Sequence, residues 1–94
     1  MRESLIEKKV SDYAKLLGWL SYKFTSPQNR GVCDRIYFRE GVTLLIEFKA
    51  LGKTPTKLQQ SHIKKLKDQL INVYVVDSIE QGKDIFNAKT RANT

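Results

Sequence analysis

The stretch Cys33-Asp34-Arg35-Ile36-Tyr37-Phe38-Arg39-Glu40-Gly41-Val42-Thr43-Leu44-Leu45-Ile46-Glu47-Phe48-Lys49 decides how this 94-residue chain folds. Two β-prone runs, 32–38 and 43–48, flank the polar connection Arg39-Glu40-Gly41-Val42, which is the pattern of a β-hairpin. With the turn centred between Glu40 and Gly41, the register places Asp34 directly opposite Glu47. Facing residues of this kind have Cβ atoms about 4.5–5.5 Å apart, and like charges there destabilise the sheet. Acids are depleted in strands to begin with, so something must offset the repulsion. A hard divalent cation does so directly, because Mg²⁺ and Mn²⁺ take carboxylate, carbonyl and water oxygens and often use only one or two protein carboxylates. Lys49 lies two residues beyond Glu47 and on the same face, placed to contact a substrate oxygen or an attacking water. An odd loop or a bulge would turn Asp34 to the other face. In that arrangement Asp34 caps the loop and Glu47 pairs with Lys49 or Arg35 at an exposed edge.

Outward from the hairpin, Ile6, Val10, Tyr13, Ala14 and Leu17 recur at helical spacing over 4–17, and Gly18 supplies the stop. Residues 19–24 have strand character and 25–31 form a polar loop with two breakers. Thr56 is a plausible N-cap for a helix reaching about Leu70, with Leu58, Ile63, Leu66 and Leu70 on its stripe. Residues 72–76 read as a strand suited to burial on both faces. Ser78 caps a last helix to about Ala88, with a frayed tail from Lys89. The order is helix, strand, hairpin, helix, strand, helix, and a crossover through the long helix makes the last strand parallel to the second hairpin strand. The expectation is a mixed sheet with helices on its faces, in one domain spanning 1–94 without internal repeats.

Seventeen Lys or Arg against ten Asp or Glu give a formal charge of +7, which favours a polyanionic partner. No apolar run approaches the roughly 20 residues of a membrane span, and the polar start is unlike a secretory signal, so a cytoplasmic protein is expected. A lone Cys33 excludes an internal disulfide and a Cys-based zinc finger. With His62 its sole candidate base, on a Lys-rich helix, Cys33 reads as a buried structural thiol and His62 as a surface residue. Six lysines and no acid lie between Lys49 and Lys67. Such a run can be a solvated helix face, but Lys53 and Lys57 flank the loop and helix start beside the acid pair, where phosphate is favoured. Arg30 is a further candidate phosphate ligand, with Ser26, Gln28 and Asn29 as supplementary donors. Contacts of this type go to the backbone, so shape is recognised more than base sequence and binding is salt-dependent.

Gly31-Val32-Cys33-Asp34, then Ile46-Glu47-Phe48-Lys49, then Leu58-Gln59 opening the next helix, resemble the PD-(D/E)XK nuclease superfamily, specifically the stand-alone virus-type replication-repair (VRR-Nuc) nucleases. The resemblance covers nearly the whole chain and departs where the family usually has proline and this chain has Cys33. It implies an α/β, restriction-endonuclease-like core in αβββαβ order and a Mg²⁺- or Mn²⁺-dependent DNA endonuclease. Asp34 and Glu47 would be metal ligands, the Phe48 carbonyl a further ligand, Lys49 the residue that orients or activates water, and Gln59 a support for the site. The family also places a glutamate on the first helix. Glu7, on the border of the buried stripe, is favoured over Glu3, with two solvated helix-start acids as the alternative. Some relatives are dimers that cut branched DNA such as four-way junctions, so a homodimer acting on structured DNA in a bacterial or phage-infected cell is the implied setting. A symmetric pair also suits a small nuclease that must cut both strands. The rival readings are a non-catalytic nucleic-acid-binding module on the same fold and a small structural subunit; neither gives opposed acids near phosphate a purpose.

Overall fold

The computed structural model describes residues 1–24 and 33–92. Its elements are α1 (Glu3–Leu16), β1 (Leu20–Lys23), β2 (Arg35–Arg39), β3 (Val42–Phe48), α2 (Lys57–Asp68), β4 (Asn72–Val76) and α3 (Ile79–Ala92). The strands form a single sheet in the order β1-β2-β3-β4, antiparallel except for the parallel β3–β4 pair. This is the mixed α/β architecture that the element order implies, with α2 as the crossover between the two parallel strands.

The central hairpin closes through Glu40 and Gly41, whose φ values of 46° and 82° are both positive. That is the backbone of a type I′ turn, whose twist matches the strands it joins and which glycine enters without steric cost. Pairing then runs from Arg39 opposite Val42 to Arg35 opposite Ile46, the register derived from the sequence.

Side chains alternate across β3. Leu44, Ile46 and Phe48 enter a core with Ile6, Val10 and Ala14 of α1 and Phe86 of α3. Leu45 points the other way, into a smaller cluster with Cys33, Val73 and Ile63 of α2. Glu47 shares that second parity. A helical layer on each side therefore buries β3 almost completely, and Glu47 is the one charged residue buried within the described core. At the start of α2 the Thr56 hydroxyl accepts from the Gln59 N–H (3.1 Å) while the Gln59 side-chain carbonyl accepts from the Thr56 N–H (2.9 Å). This capping box satisfies donors that the first helical turn leaves without partners.

The last helix is longer than expected. Rather than fraying at Lys89 it continues through Ala92, because its end has tertiary partners. Trp19 Nε1 donates to the Thr90 hydroxyl at 2.8 Å, and Lys89 Nζ lies 5.9 Å from the centre of the Tyr74 ring. Upstream, α3 approaches α1 so closely that a Cβ added at Gly82 would lie 2.4 Å from Val10 Cγ2. Gly82→Ala is therefore expected to destabilise the protein by about 1–3 kcal/mol through overpacking, although Ala is the better intrinsic helix former. Urea unfolding of the two proteins checks this; a stabilised variant would show that the α1–α3 contact is looser than described.

Candidate active site

The site forms where β2 begins, beside the C-terminal half of β3. Asp34 carries on the β1 ladder through its carbonyl, which accepts from Phe24 N–H at 2.8 Å. Its own N–H turns instead toward β3 and donates to the Ile46 carbonyl at 3.1 Å, the group opposite Arg35. Two successive residues thus face one, which is a β-bulge. Direct pairing of Asp34 with Glu47 gives way to this bulge, but the carboxylates still meet. Asp34 Oδ2 accepts from the Phe48 N–H at 2.9 Å, in place of β2, which begins only at Arg35, and so satisfies a donor in the buried sheet. The charge of the Asp34 carboxyl acts on that of Glu47.

Glu47 is 1% exposed. Its Oε2 accepts from Gln59 Nε2 at 3.1 Å and lies 3.6 Å from Lys49 Nζ. Its Oε1 is buried and has no partner. Burial, then the charge of Asp34, push the Glu47 carboxyl up to about 7, against the opposing pull of Lys49. Burial also raises Asp34, with the Phe48 N–H holding it back. A buried oxygen without a partner ordinarily costs stability, so this one requires an explanation. Two adjacent carboxylates with an unsatisfied oxygen suit a hard divalent cation, which needs few protein ligands beyond water and substrate oxygens. Among the described residues no three His, Cys, Asp or Glu side chains are grouped as a metal site, so the fit rests on the pair.

The first-helix acids divide. Glu7, favoured from the sequence, is ion-paired with the residue after Asp34: its Oε2 accepts from Arg35 Nε at 2.7 Å, and Arg35 Nη1 also donates to Ser21 at 2.9 Å. Glu3, one turn earlier, has its carboxyl raised by burial first and then by Asp34, with Lys49 opposing. Both α1 acids therefore act on Asp34: Glu3 feels its charge, and Glu7 is among the groups that raise the Asp34 carboxyl. The Arg35–Glu7 pair forms because α1 lies across the sheet, which no local signal announces.

Gln59 joins two functions, capping α2 through its carbonyl and holding Glu47 through its amide. Lys53 and Lys57 are exposed on the loop and helix start that follow β3. Arg30, with Ser26, Gln28 and Asn29, lies outside the described residues. Cys33 is fully buried, and burial followed by the nearby Glu47 and Asp34 pushes its thiol up to about 12, which leaves it inert as a nucleophile. His62 is half-buried on α2.

No family model matches the chain. A solved structure described as a VRR_NUC domain superposes with a TM-score of 0.83, covering 90% of this chain and 94% of that one at 23% sequence identity. The chain thus has the VRR_NUC fold. A curated protein of Acyrthosiphon pisum secondary endosymbiont phage 1, named "Putative nuclease p44", is 40% identical over 60 residues, which is 63% of this chain. The match spans 64% of that relative's length.

The buried acid pair sets a pH dependence. Because the folded state holds the Glu47 proton more tightly than the unfolded chain, stability is greatest below the ordinary glutamate value of 4.5 and falls as pH rises toward about 7. For metal-free protein the expected slope in that window is up to about 1.4 kcal/mol per pH unit. Urea unfolding in chelator across the window checks it. Glu47→Gln should flatten the slope, and an unchanged slope in the variant would assign the titration to another group.

Proposed function

We propose that the protein is a Mg²⁺- or Mn²⁺-dependent endonuclease that hydrolyses phosphodiester bonds in DNA, acting in a bacterial or phage-infected cytoplasm. The single observation that carries this reading is the unpartnered, buried Glu47 Oε1 beside the Asp34 carboxylate. The VRR_NUC fold and the name of the phage relative support the same reading.

Asp34 and Glu47 would hold the ion, with the Phe48 carbonyl as a further ligand and Glu7, paired with Arg35 in its absence, as the α1 carboxylate. Such an ion supplies Lewis acidity and a lowered pKa for the attacking water. The remaining tasks fall to the chain itself. Gln59 fixes Glu47 through Oε2, leaving Oε1 available. The Phe48 N–H fixes Asp34. Lys49, 3.6 Å from Glu47, positions water and adds positive charge where the phosphoryl oxygens become more negative. Lys53, Lys57 and Arg30 contact neighbouring phosphates, so recognition follows backbone shape and weakens with salt.

Structured DNA such as a four-way junction is the substrate class that suits backbone recognition, and a homodimer would supply two such sites. A specific feature favours the dimer. Leu20, Tyr22 and Phe38 expose 60%, 59% and 39% of their surfaces on the α2 face of the sheet, over β1 and β2, with Phe24 (39%) at the end of β1. Exposed apolar groups gathered in this way mark association surfaces.

Purified protein is expected to cleave DNA with Mn²⁺ or Mg²⁺ and to stop on chelation. Asp34→Asn and Glu47→Gln should each lose at least about 10²-fold in rate while retaining DNA binding. Mn²⁺ should raise the melting temperature of wild type and not of Glu47→Gln. DNA binding without any metal-dependent cleavage or metal-dependent stabilisation would favour the non-catalytic binding module instead.

A further inference from the structure

Three carboxylates gather around the start of β2, and they are not held alike. Asp34 is fixed by the Phe48 N–H at 2.9 Å and Glu47 by the Gln59 side-chain amide at 3.1 Å. Both donors are neutral. Lys49 Nζ, 3.6 Å from Glu47, stands beyond hydrogen-bonding distance. The Glu7 carboxylate is instead held by a cation, its Oε2 accepting from Arg35 Nε at 2.7 Å. The Glu7 side chain is 13% exposed and that of Arg35 25%, so neither charge can lose its partner without cost.

The chain itself sets this pair beside the acids. Arg35 directly follows Asp34. Glu7 lies between Ile6 and Val10, which pack in one cluster with Ile46 and Phe48 of β3. From there Glu7 adds to the repulsion that raises the Asp34 carboxyl. Yet among the described residues no three acids group as a metal site: Glu7 is engaged by Arg35 instead of completing a set with Asp34 and Glu47.

The hold on Glu7 is of an exchangeable kind. Arginine binds a carboxylate most strongly through two parallel N–H bonds, but this guanidinium is divided, with Nε on Glu7 and Nη1 on the Ser21 hydroxyl at 2.9 Å. Arg35 also faces Lys23 across the β1–β2 ladder, where like charges repel, so Glu7 neutralises a strained pair of cations. A divalent ion on Asp34 and Glu47 would draw on the same carboxylate with twice the charge. The neutral donors on Asp34 and Glu47 tolerate such an ion, whereas a guanidinium beside it is repelled.

We propose that Arg35 is a positioning residue that competes with the divalent ion for Glu7. It keeps the third carboxylate beside the seat, and Glu7 exchanges the guanidinium for the ion when the ion is taken up. The Ser21 hydroxyl retains the released guanidinium on the β1 side. The proposal rests on the nuclease reading and adds to it a residue that sets how tightly the ion is held.

Calorimetric titration with Mn²⁺ alone, without DNA, gives the first readout. Arg35→Gln should bind Mn²⁺ about tenfold more tightly than wild type, because Glu7 no longer has to leave a cation, while its melting temperature in chelator falls. In a Glu7→Gln background the same substitution should give a smaller gain, since only the charge of Arg35 is then removed. A merely structural arginine would instead leave the variant both less stable and weaker in Mn²⁺ binding. The second readout uses wild type, so it does not depend on a variant that folds. In proton–nitrogen NMR spectra the Arg35 Nε–H should be protected from exchange in chelator and lose that protection in saturating Mg²⁺. An Nε–H that stays protected in the Mg²⁺-saturated protein, a folded Arg35→Gln that binds Mn²⁺ no more tightly, or an equal gain without Glu7 would overturn the competition and leave the nuclease reading standing. A wild type that takes up neither ion overturns both.

Discussion

Two carboxylates pressed together against a closed sheet are the constraint around which this small protein is arranged. Glu47 sits at 1% exposure in the middle of the sheet, and Asp34 is turned toward it by a bulge instead of being left on the regular ladder. Each is held by an element that serves another purpose. The Phe48 N–H that fixes Asp34 is a sheet donor without a strand partner, and the Gln59 that fixes Glu47 belongs to the cap of α2. Moving either carboxylate would therefore disturb the backbone that supports it. An acid pair this costly, with one oxygen unsatisfied, is best explained by chemistry.

The charges are sorted accordingly. Lys53 and Lys57 are exposed on the loop and helix start that follow β3. The acid pair itself is enclosed by Lys49, Gln59 and the backbone of β3. Glu47 is buried and Asp34 half-buried, whereas Lys53 and Lys57 stand in solvent.

Much of this was legible in the residues. Glu40-Gly41 specified a tight turn, the turn specified the register through Arg35 and Ile46, and the register brought Asp34 near Glu47. Thr56 and Gln59 announced the start of α2, and the site role of Gln59 came with the family resemblance. Long-range geometry was not legible. The bulge at Asp34 depends on how the chain enters β2, with the Asp34 carbonyl on the β1 ladder and its N–H on β3. The engagement of Glu7 by Arg35 depends on the path of α1 over the sheet. The length of α3 depends on Trp19 finding Thr90 across 71 positions of sequence. None of these has a local signal, because each is decided by which surfaces meet.

The central claim is that the buried pair is a seat for a cation. It is tested most directly by anomalous diffraction from crystals grown with Mn²⁺. The expected map has a peak bonded to Glu47 Oε1 and to an Asp34 carboxylate oxygen, with Gln59 still on Glu47 Oε2. Crystals with Mn²⁺ bound elsewhere, or with none and the two carboxyls sharing a proton, would contradict it.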